Sequence, residues 1–315
     1  MLHKDLLSLE ELSRSEIENL LKLSLDLKIR LQRGERLTHL AGEKLVLMFY
    51  EPSTRTRVSF AQAAYLGGAD VISIASDTSS VIKGESLVDT ARTLAATGAT
   101  AMVLRHKAAG AAALVAKKVS IPVINAGDGW HAHPTQSLLD LLTIWEERGR
   151  VEGLKVAILG DILHSRVARS NIDAFSKLGA KVTVAAPPTL LPPGLDSLGA
   201  EVMTDPAAAV ADADVIYLLR VQRERQAEGY LASLSEYNRL WGLSSNLLAQ
   251  APANALVMHP GPANIGVEIN YDVAFGPQAV ITDQVTNGVL VRLAILTALL
   301  GGEQKCLRHS QAVAS

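Results

Sequence analysis

The five residues 53–57, Ser-Thr-Arg-Thr-Arg, combine three hydroxyl groups with two guanidinium groups. They follow an apolar run at residues 44–50, which predicts a buried strand, and a helical pattern begins at Arg57. At such a junction the free backbone N–H groups and the positive end of the helix dipole favour an anion. The segment therefore predicts a phosphate site, and the alternative is a Ser/Thr helix cap beside solvated arginines.

Two arginines occupy the same kind of position further along the chain. Arg166 follows a predicted strand at residues 155–159, and Arg220 follows another at residues 215–219. Ligands of open α/β sheets bind at the carboxyl ends of parallel strands, and arginine is the natural bidentate partner of a carboxylate. Arg223 and Arg225 come soon afterwards, and their simpler interpretation is a charged surface loop.

Nucleotide and metal sites receive little support. No GxxxxGK[ST] motif occurs in the sequence, and no GxGxxG motif follows a predicted strand. His131 and His133 are two residues apart, but no cysteine or set of carboxylates nearby completes a metal-ligand pattern. We therefore expect neither a metal nor a cofactor. Arg105 stands at the end of a predicted strand, and its simpler interpretation is a solvated arginine with no function.

Apolar runs alternate with helical patterns along the chain, which is typical of parallel sheets covered by helices. Ser13 and Glu16 form a capping box at the start of the first helix. A polar stretch after the helical segment 135–148 indicates a connection near residue 149, and residues 222–241 read as a surface segment. The predicted fold is α/β with two domains, residues 1–149 and 150–286, each a mainly parallel sheet flanked by helices. A last helix, residues 287–302, is expected to pack back on the first domain.

The amino-acid composition and the pattern of charges argue against several classes of protein. The 315 residues carry 30 Lys plus Arg, 32 Asp plus Glu and a formal net charge of −2, so no global field favours nucleic acid or anionic lipid. The longest uncharged apolar runs fall below the roughly 18 residues of a membrane span. The N-terminus has no signal-peptide core, and the single Cys306 cannot form an intrachain disulfide. These features predict a cytoplasmic protein.

Seven segments together resemble the aspartate/ornithine carbamoyltransferase family, and most of all its aspartate branch. They follow the family's order and span the chain from about residue 5 to residue 302. The segments are residues 49–56, 79–85, 105–106, 126–136, 160–166, 220–225 and 259–262. The resemblance implies a cleft between two domains in which the carbamoyl group of carbamoyl phosphate is transferred to the amino group of L-aspartate. The products would be N-carbamoyl-L-aspartate and phosphate, in pyrimidine biosynthesis and without a covalent enzyme intermediate.

The resemblance also implies roles for residues around carbamoyl phosphate. Ser53, Thr54, Arg55 and Thr56 would hold the phosphate. Thr56, Arg105 and His133 would donate to the carbonyl oxygen, which becomes negative as the amine attacks. Gln136 and the backbone carbonyls near Pro260, Gly261 and Pro262 would fix the carbamoyl NH₂, which needs acceptors.

The resemblance also implies which residues bind the second substrate and how subunits assemble. Arg166 and Arg220 would bind the aspartate carboxylates, with Gln222 assisting. Ser79 and Lys83 would reach into a neighbouring subunit's active site, where Ser79 meets phosphate and Lys83 contacts both substrates. The family likeness therefore implies a homotrimer with shared sites, and it leaves open whether a regulatory chain or a dihydroorotase associates with it.

Three alternatives remain. An ornithine or other amino-acid carbamoyltransferase is disfavoured because the arginines would repel a cationic side chain. A catalytically silent scaffold is disfavoured because Arg55, Arg105 and His133 are present, and a generic nucleotide-binding α/β protein lacks its glycine motifs. One departure is Ile265, which stands where many relatives carry arginine in a polar loop after His259.

Overall fold

A computed structural model describes residues 3–75, 85–222 and 230–301. The chain divides into two compact units, which we call unit 1 and unit 2. Unit 1 contains the residues up to Leu139 and those from Thr286 onward, and unit 2 runs from Asp140 to Val285. Two helices, α5 (Pro134–Arg148) and α11 (Ile281–Leu300), continue from one unit into the other. The unit boundaries therefore fall inside helices, and the first lies ten residues before the predicted connection near residue 149.

Unit 1 holds a four-stranded parallel sheet in the order β2-β1-β3-β4. Its strands are β1 (Lys44–Phe49), β2 (Asp70–Ala75), β3 (Ala101–His106) and β4 (Val123–Asp128). Its helices are α1 (Arg14–Gln32), α2 (Thr54–Gly67), α3 (Leu87–Ala96) and α4 (Ala111–Ala116), with the first residues of α5 and the last turns of α11. The predicted capping box is confirmed, because Glu16 N donates to Ser13 Oγ and Ser13 N donates to the Glu16 carboxylate.

Unit 2 holds a five-stranded parallel sheet in the order β7-β6-β5-β8-β9. Its strands are β5 (Lys155–Leu159), β6 (Lys181–Ala185), β7 (Ala200–Met203), β8 (Val215–Leu218) and β9 (Leu256–Met258). Its helices are α6 (Arg166–Lys177), α7 (Pro206–Val210), α8 (Leu234–Trp241), α9 (Ser245–Leu248) and α10 (Tyr271–Ala274). The prediction of an α/β fold with mainly parallel sheets is confirmed in both units.

Two elements of unit 2 differ from the sequence prediction. The edge strand β7 was not predicted, because its four residues are half exposed and include Glu201, so they form no apolar run. Residues 222–241 were expected to be a surface segment, yet α8 fills the last eight of them. That helix begins at the N-cap Ser233, whose side chain accepts from Glu236 N at 3.0 Å.

Each sheet has a topological switch point, where successive connections leave in opposite directions. In unit 1 the chain passes from β1 to β2 on one side and then to β3 on the other, so the segments after β1 and β3 diverge. In unit 2 the same reversal separates β5 from β8. A crevice at the carboxyl ends of such strands is the usual ligand site of this architecture.

The helix α11 is the one described helix that is long and apolar enough to pass a membrane-span test. Its 18-residue window has a mean hydropathy of 1.3, but 67% of that window is buried inside the protein. Burial of this extent is typical of the core helix of a soluble protein.

Candidate active site

The segment predicted to bind phosphate lies at the switch point of unit 1. Ser53 is the N-cap of α2 in an extended conformation, and its side chain makes no capping hydrogen bond. The first helical bond runs from Arg57 N to Ser53 O, so the N–H groups of the preceding three residues lie in the unpaired first turn. Thr54 and Arg55 are exposed, whereas Thr56 is buried. This arrangement suits an anion with several oxygens.

Arg105 lies beside this helix start. It is the last residue but one of the neighbouring strand β3, where it pairs with Phe49 of β1, and its carbonyl accepts from Tyr50 N at 2.9 Å. Its guanidinium donates to Glu51 Oε1 at 3.1 Å and to the carbonyl of Ala126 at 3.2 Å. Arg105 is largely buried, and it lies at the carboxyl ends of the strands, where residues 53–57 follow β1.

The turn from β4 to α5 depends on the buried Asp128. Its carboxylate accepts from Gly110 N at 2.7 Å, from Asn125 Nδ2 at 2.8 Å and from Ala132 N at 3.2 Å. His131 Nδ1 also lies 3.1 Å from Asp128 Oδ2. At Gly129, φ is +49° and an added Cβ would lie 2.6 Å from Ala109 N, so only glycine fits. This framework holds the chain just before His133.

His133 and Gln136 share the first turn of α5. The carbonyl of His133 accepts from Gln136 N at 3.0 Å, and both side chains are buried. Residues three apart on a helix lie on the same face. The two predicted carbamoyl-group contacts are therefore adjacent, and the Asp128 turn fixes their approach.

In unit 2, Asp161 joins the two segments that carry the predicted aspartate-binding residues. Its Oδ1 accepts from His164 Nδ1 at 2.8 Å and from His164 N at 3.2 Å, and its Oδ2 accepts from Gln222 N at 3.2 Å. The preceding Gly160 has φ +122°, and an added Cβ would lie 3.0 Å from Leu219 O. The loop after β5 and the segment after β8 are thus bonded to each other at the switch point.

The two arginines follow these strands. Arg166 is the buried first residue of α6, whose N-cap Ser165 accepts from Ala168 N at 3.1 Å. Arg220 is half-buried, two residues after β8. One arginine therefore follows each of two neighbouring parallel strands, at their carboxyl ends. Such a pair suits a ligand with more than one carboxylate.

The segment after β9 is held by a second buried carboxylate. Gly261 N donates to His259 Nδ1 at 2.8 Å, so this nitrogen is the acceptor and His259 Nε2 donates to Glu268 Oε1 at 3.1 Å. Glu268 also accepts from Asn264 N at 2.6 Å. These bonds fix the backbone around Gly261 and Pro262. The departure at Ile265 lies on the outer side of this loop, because its side chain is exposed.

Burial keeps two groups beside these segments neutral. Desolvation lowers the pKa of His106, which follows Arg105, and nearby Lys107 acts in the same direction. Desolvation raises the pKa of Tyr237, whose hydroxyl lies close to Gly160, and the charges of Glu268 and Asp161 add to the effect. Burial therefore favours the neutral form of both groups.

Four predicted residues, Ser79, Lys83, Arg223 and Arg225, lie outside the described residues. Conversely, four carboxylates organise these segments without having been predicted from the sequence: Glu51, Asp128, Asp161 and Glu268. Three of them, Glu51, Asp128 and Asp161, stand at the end of a strand or two residues after it, and a carboxylate in that position is a signal that could have identified them.

Comparison with known proteins finds two family models in succession along the chain. Residues 4–146 match the family model described as aspartate/ornithine carbamoyltransferase, carbamoyl-P binding domain, and residues 152–299 match its Asp/Orn binding domain. The chain belongs to the aspartate/ornithine carbamoyltransferase family. It is also 55% identical over 95% of its length to the aspartate carbamoyltransferase catalytic subunit of Moorella thermoacetica, of which it covers 98%.

Solved structures from both branches of the family resemble the chain. Ornithine carbamoyltransferase from Pyrococcus furiosus superimposes with a TM-score of 0.86 at 33% identity, covering 95% of this chain and 97% of that one. Aspartate transcarbamoylase from Trypanosoma cruzi, in complex with carbamoyl phosphate and aspartate, has a TM-score of 0.86 at 31% identity, covering 94% and 97%. Because both branches share the fold, the choice of amino-acid substrate depends on side chains.

Proposed function

We propose that this chain is an aspartate carbamoyltransferase catalytic subunit, which carbamoylates L-aspartate in cytoplasmic pyrimidine biosynthesis. The observation that carries this proposal is the pair of arginines, Arg166 and Arg220, which follow the neighbouring strands β5 and β8 of unit 2. Aspartate has two carboxylates for them, whereas the side-chain ammonium of ornithine would meet two positive charges. The high identity to a protein named for aspartate supports the same choice.

Most of the contacts proposed for carbamoyl phosphate lie in unit 1, whereas the carbonyls near Gly261 belong to unit 2. The phosphate binds at the start of α2, to Ser53, Thr54, Arg55 and Thr56, while Arg105 and His133 donate to the carbonyl oxygen. Gln136 and the carbonyls near Gly261 accept from the carbamoyl NH₂. Before the substrate binds, the Glu51 carboxylate holds Arg105 at 3.1 Å. The developing oxyanion offers the same guanidinium a second negative partner.

The transfer needs no covalent intermediate between the carbamoyl group and the protein. The amine nitrogen of aspartate forms a bond to the carbonyl carbon, and the bond from that carbon to the phosphate oxygen breaks. The amine attacks in its neutral form, phosphate leaves with the electron pair, and the departing phosphate oxygen accepts the proton that the nitrogen loses. With Arg166, Arg220 and Gln222 holding the carboxylates, the amine is oriented before it attacks, which lowers the entropic part of the barrier.

A substrate assay tests the proposal directly. The purified protein is incubated with carbamoyl phosphate and, separately, with L-aspartate or L-ornithine as acceptor, and the carbamoylated amino acid is quantified. We expect product with aspartate and none above background with ornithine. Product with ornithine alone would mean that the chain belongs to the ornithine branch of the family. Absence of both products from an intact trimer would favour the catalytically silent alternative.

We also propose a homotrimer with shared active sites. Unit 1 leaves apolar side chains uncovered on α2 and on β2, with Val58 57%, Tyr65 75% and Ile72 46% exposed. The strand β2 lies at the sheet edge, and residues 79 and 83 come soon after it in the sequence. An apolar face beside the segment expected to cross to a neighbour supports a subunit interface there.

Complementation between inactive chains tests the shared site. Lys83→Ala and Arg55→Ala chains are each expected to be nearly inactive, because each removes a cation from every site. After dissociation and equal mixing, a site is complete only where an Arg55 chain meets a neighbour that carries Lys83. Random trimers then recover about a quarter of the wild-type activity. If mass spectrometry confirms mixed trimers and activity stays at the level of the parents, the sites are self-contained.

A further inference from the structure

A buried arginine of α11 contacts two other helices of unit 1, α2 and α5, near their N-terminal ends. Arg292 Nη1 donates to Ser59 Oγ of α2 at 2.8 Å, and Nη2 donates to Thr135 Oγ1 of α5 at 3.3 Å. Nη1 also donates to the carbonyl of Gly288 at 3.1 Å, and the guanidinium carbon lies 5.2 Å from the centroid of the Phe60 ring. All of these side chains are buried. One rigid fork thus fixes three helices at one point.

Gly288 makes room for that guanidinium. An added Cβ at this position would lie 2.7 Å from Arg292 Nη1 and 3.2 Å from Leu139 Cδ2. Glycine in the middle of a helix weakens the helix, so its presence here needs a local reason. The contact with Nη1 supplies that reason, and it shows that the cradle is built around the arginine.

The bridged positions lie close to the substrate-binding residues. Ser59 is less than two turns into α2, behind residues 53–56, and Thr135 lies between His133 and Gln136. A cation near the start of a helix opposes the helix dipole, so this placement is unfavourable for α5 alone. It is favourable once an anion binds in front of the helix starts.

We propose that Arg292 is a positioning residue for carbamoyl phosphate, an inference that rests on the proposed function. Its fork sets the distance between the start of α2, which holds the phosphate, and the start of α5, which holds the carbonyl oxygen. The two groups belong to one small rigid molecule, so both helix starts must be correctly spaced for it to bind. Lysine keeps the charge but lacks the planar fork that reaches two hydroxyl groups in fixed directions.

Two variants test this role while retaining the positive charge. Arg292→Lys removes the fork, and Gly288→Ala pushes an intact Arg292 out of its cradle. For each variant we would titrate inorganic phosphate by calorimetry and measure KM for carbamoyl phosphate and for aspartate. The expected result is a rise of about tenfold in KM for carbamoyl phosphate, which meets both helix starts, whereas the Kd of inorganic phosphate, which meets only the start of α2, should change by less than about threefold. KM for aspartate should change by less than about threefold, because its proposed residues lie in unit 2.

A control separates positioning from stability. Leu296→Ala removes a fully buried side chain one turn further along the same helix and leaves the hydrogen-bonding groups of Arg292, Ser59 and Thr135 in place, so it should lower Tm while leaving KM for carbamoyl phosphate near wild type. If folded Arg292→Lys and Gly288→Ala keep the wild-type KM for carbamoyl phosphate, or if Leu296→Ala raises that KM equally at a matched loss of Tm, the positioning role is wrong. A wild-type protein that carbamoylates neither acceptor would instead refute the proposed function, so the two failures are distinguishable.

Discussion

Replacing Arg55 by alanine is expected to lower kcat/KM for carbamoyl phosphate by about 10³-fold. Arg55 is the exposed second residue of α2, where the unpaired N–H groups of the first turn already favour an anion. Its guanidinium adds a charge-assisted, bidentate donor to the phosphate, and that donor gains strength as negative charge moves onto the leaving group. Loss of one such donor costs roughly 10²–10³ in rate, and weaker phosphate binding adds to the loss.

Arg33→Ala is the matched control, because Arg33 is the exposed C-cap residue of α1 in the same unit and the change in net charge is identical. We expect its kcat/KM to stay within about threefold of wild type. Steady-state kinetics and a phosphate titration would be measured on both variants at one ionic strength. Equal losses in the two variants would mean that general electrostatic attraction, and not a contact of Arg55, explains the effect.

The local parts of the site could be predicted from the sequence. The hydroxyl and guanidinium groups of residues 53–57 follow an apolar run and precede a helix, so adjacent residues suffice to predict the anion site. The same holds for Arg166 and Arg220, each of which follows a short apolar strand. Strand and helix formation depend on neighbouring side chains, so these elements, and the α/β fold class with them, could be predicted.

The contacts between distant segments could not be predicted in this way. Nothing near Asp161 in the sequence indicates that its carboxylate accepts from Gln222 N, 61 residues away. Arg292 likewise meets Ser59 across 233 residues. Such contacts depend on strand order, which crossover connections determine and periodicity does not reveal. The roles of Ser79 and Lys83 stay predictions, because they require a neighbouring subunit.

The second large effect is expected on the other substrate. Arg220→Ala should raise KM for aspartate and lower kcat/KM for aspartate by about 10²-fold, while KM for carbamoyl phosphate changes by less than about threefold. Two charge-assisted hydrogen bonds to one carboxylate contribute about 3 kcal/mol, which corresponds to about 10² in kcat/KM. The effect is selective because Arg220 follows β8 of unit 2, whereas the proposed phosphate contacts lie in unit 1.

Two further variants define how Arg220 acts. Arg220→Lys retains the charge but not the fork, so it should recover only part of the affinity for aspartate. Arg169→Ala removes an exposed arginine from α6 of the same unit, and its kinetics should match the wild type. An equal loss of affinity for both substrates in Arg220→Ala would contradict a direct contact with aspartate. It would point instead to disruption of the segment that Asp161 holds through Gln222 N, and circular dichroism together with Tm would show that change.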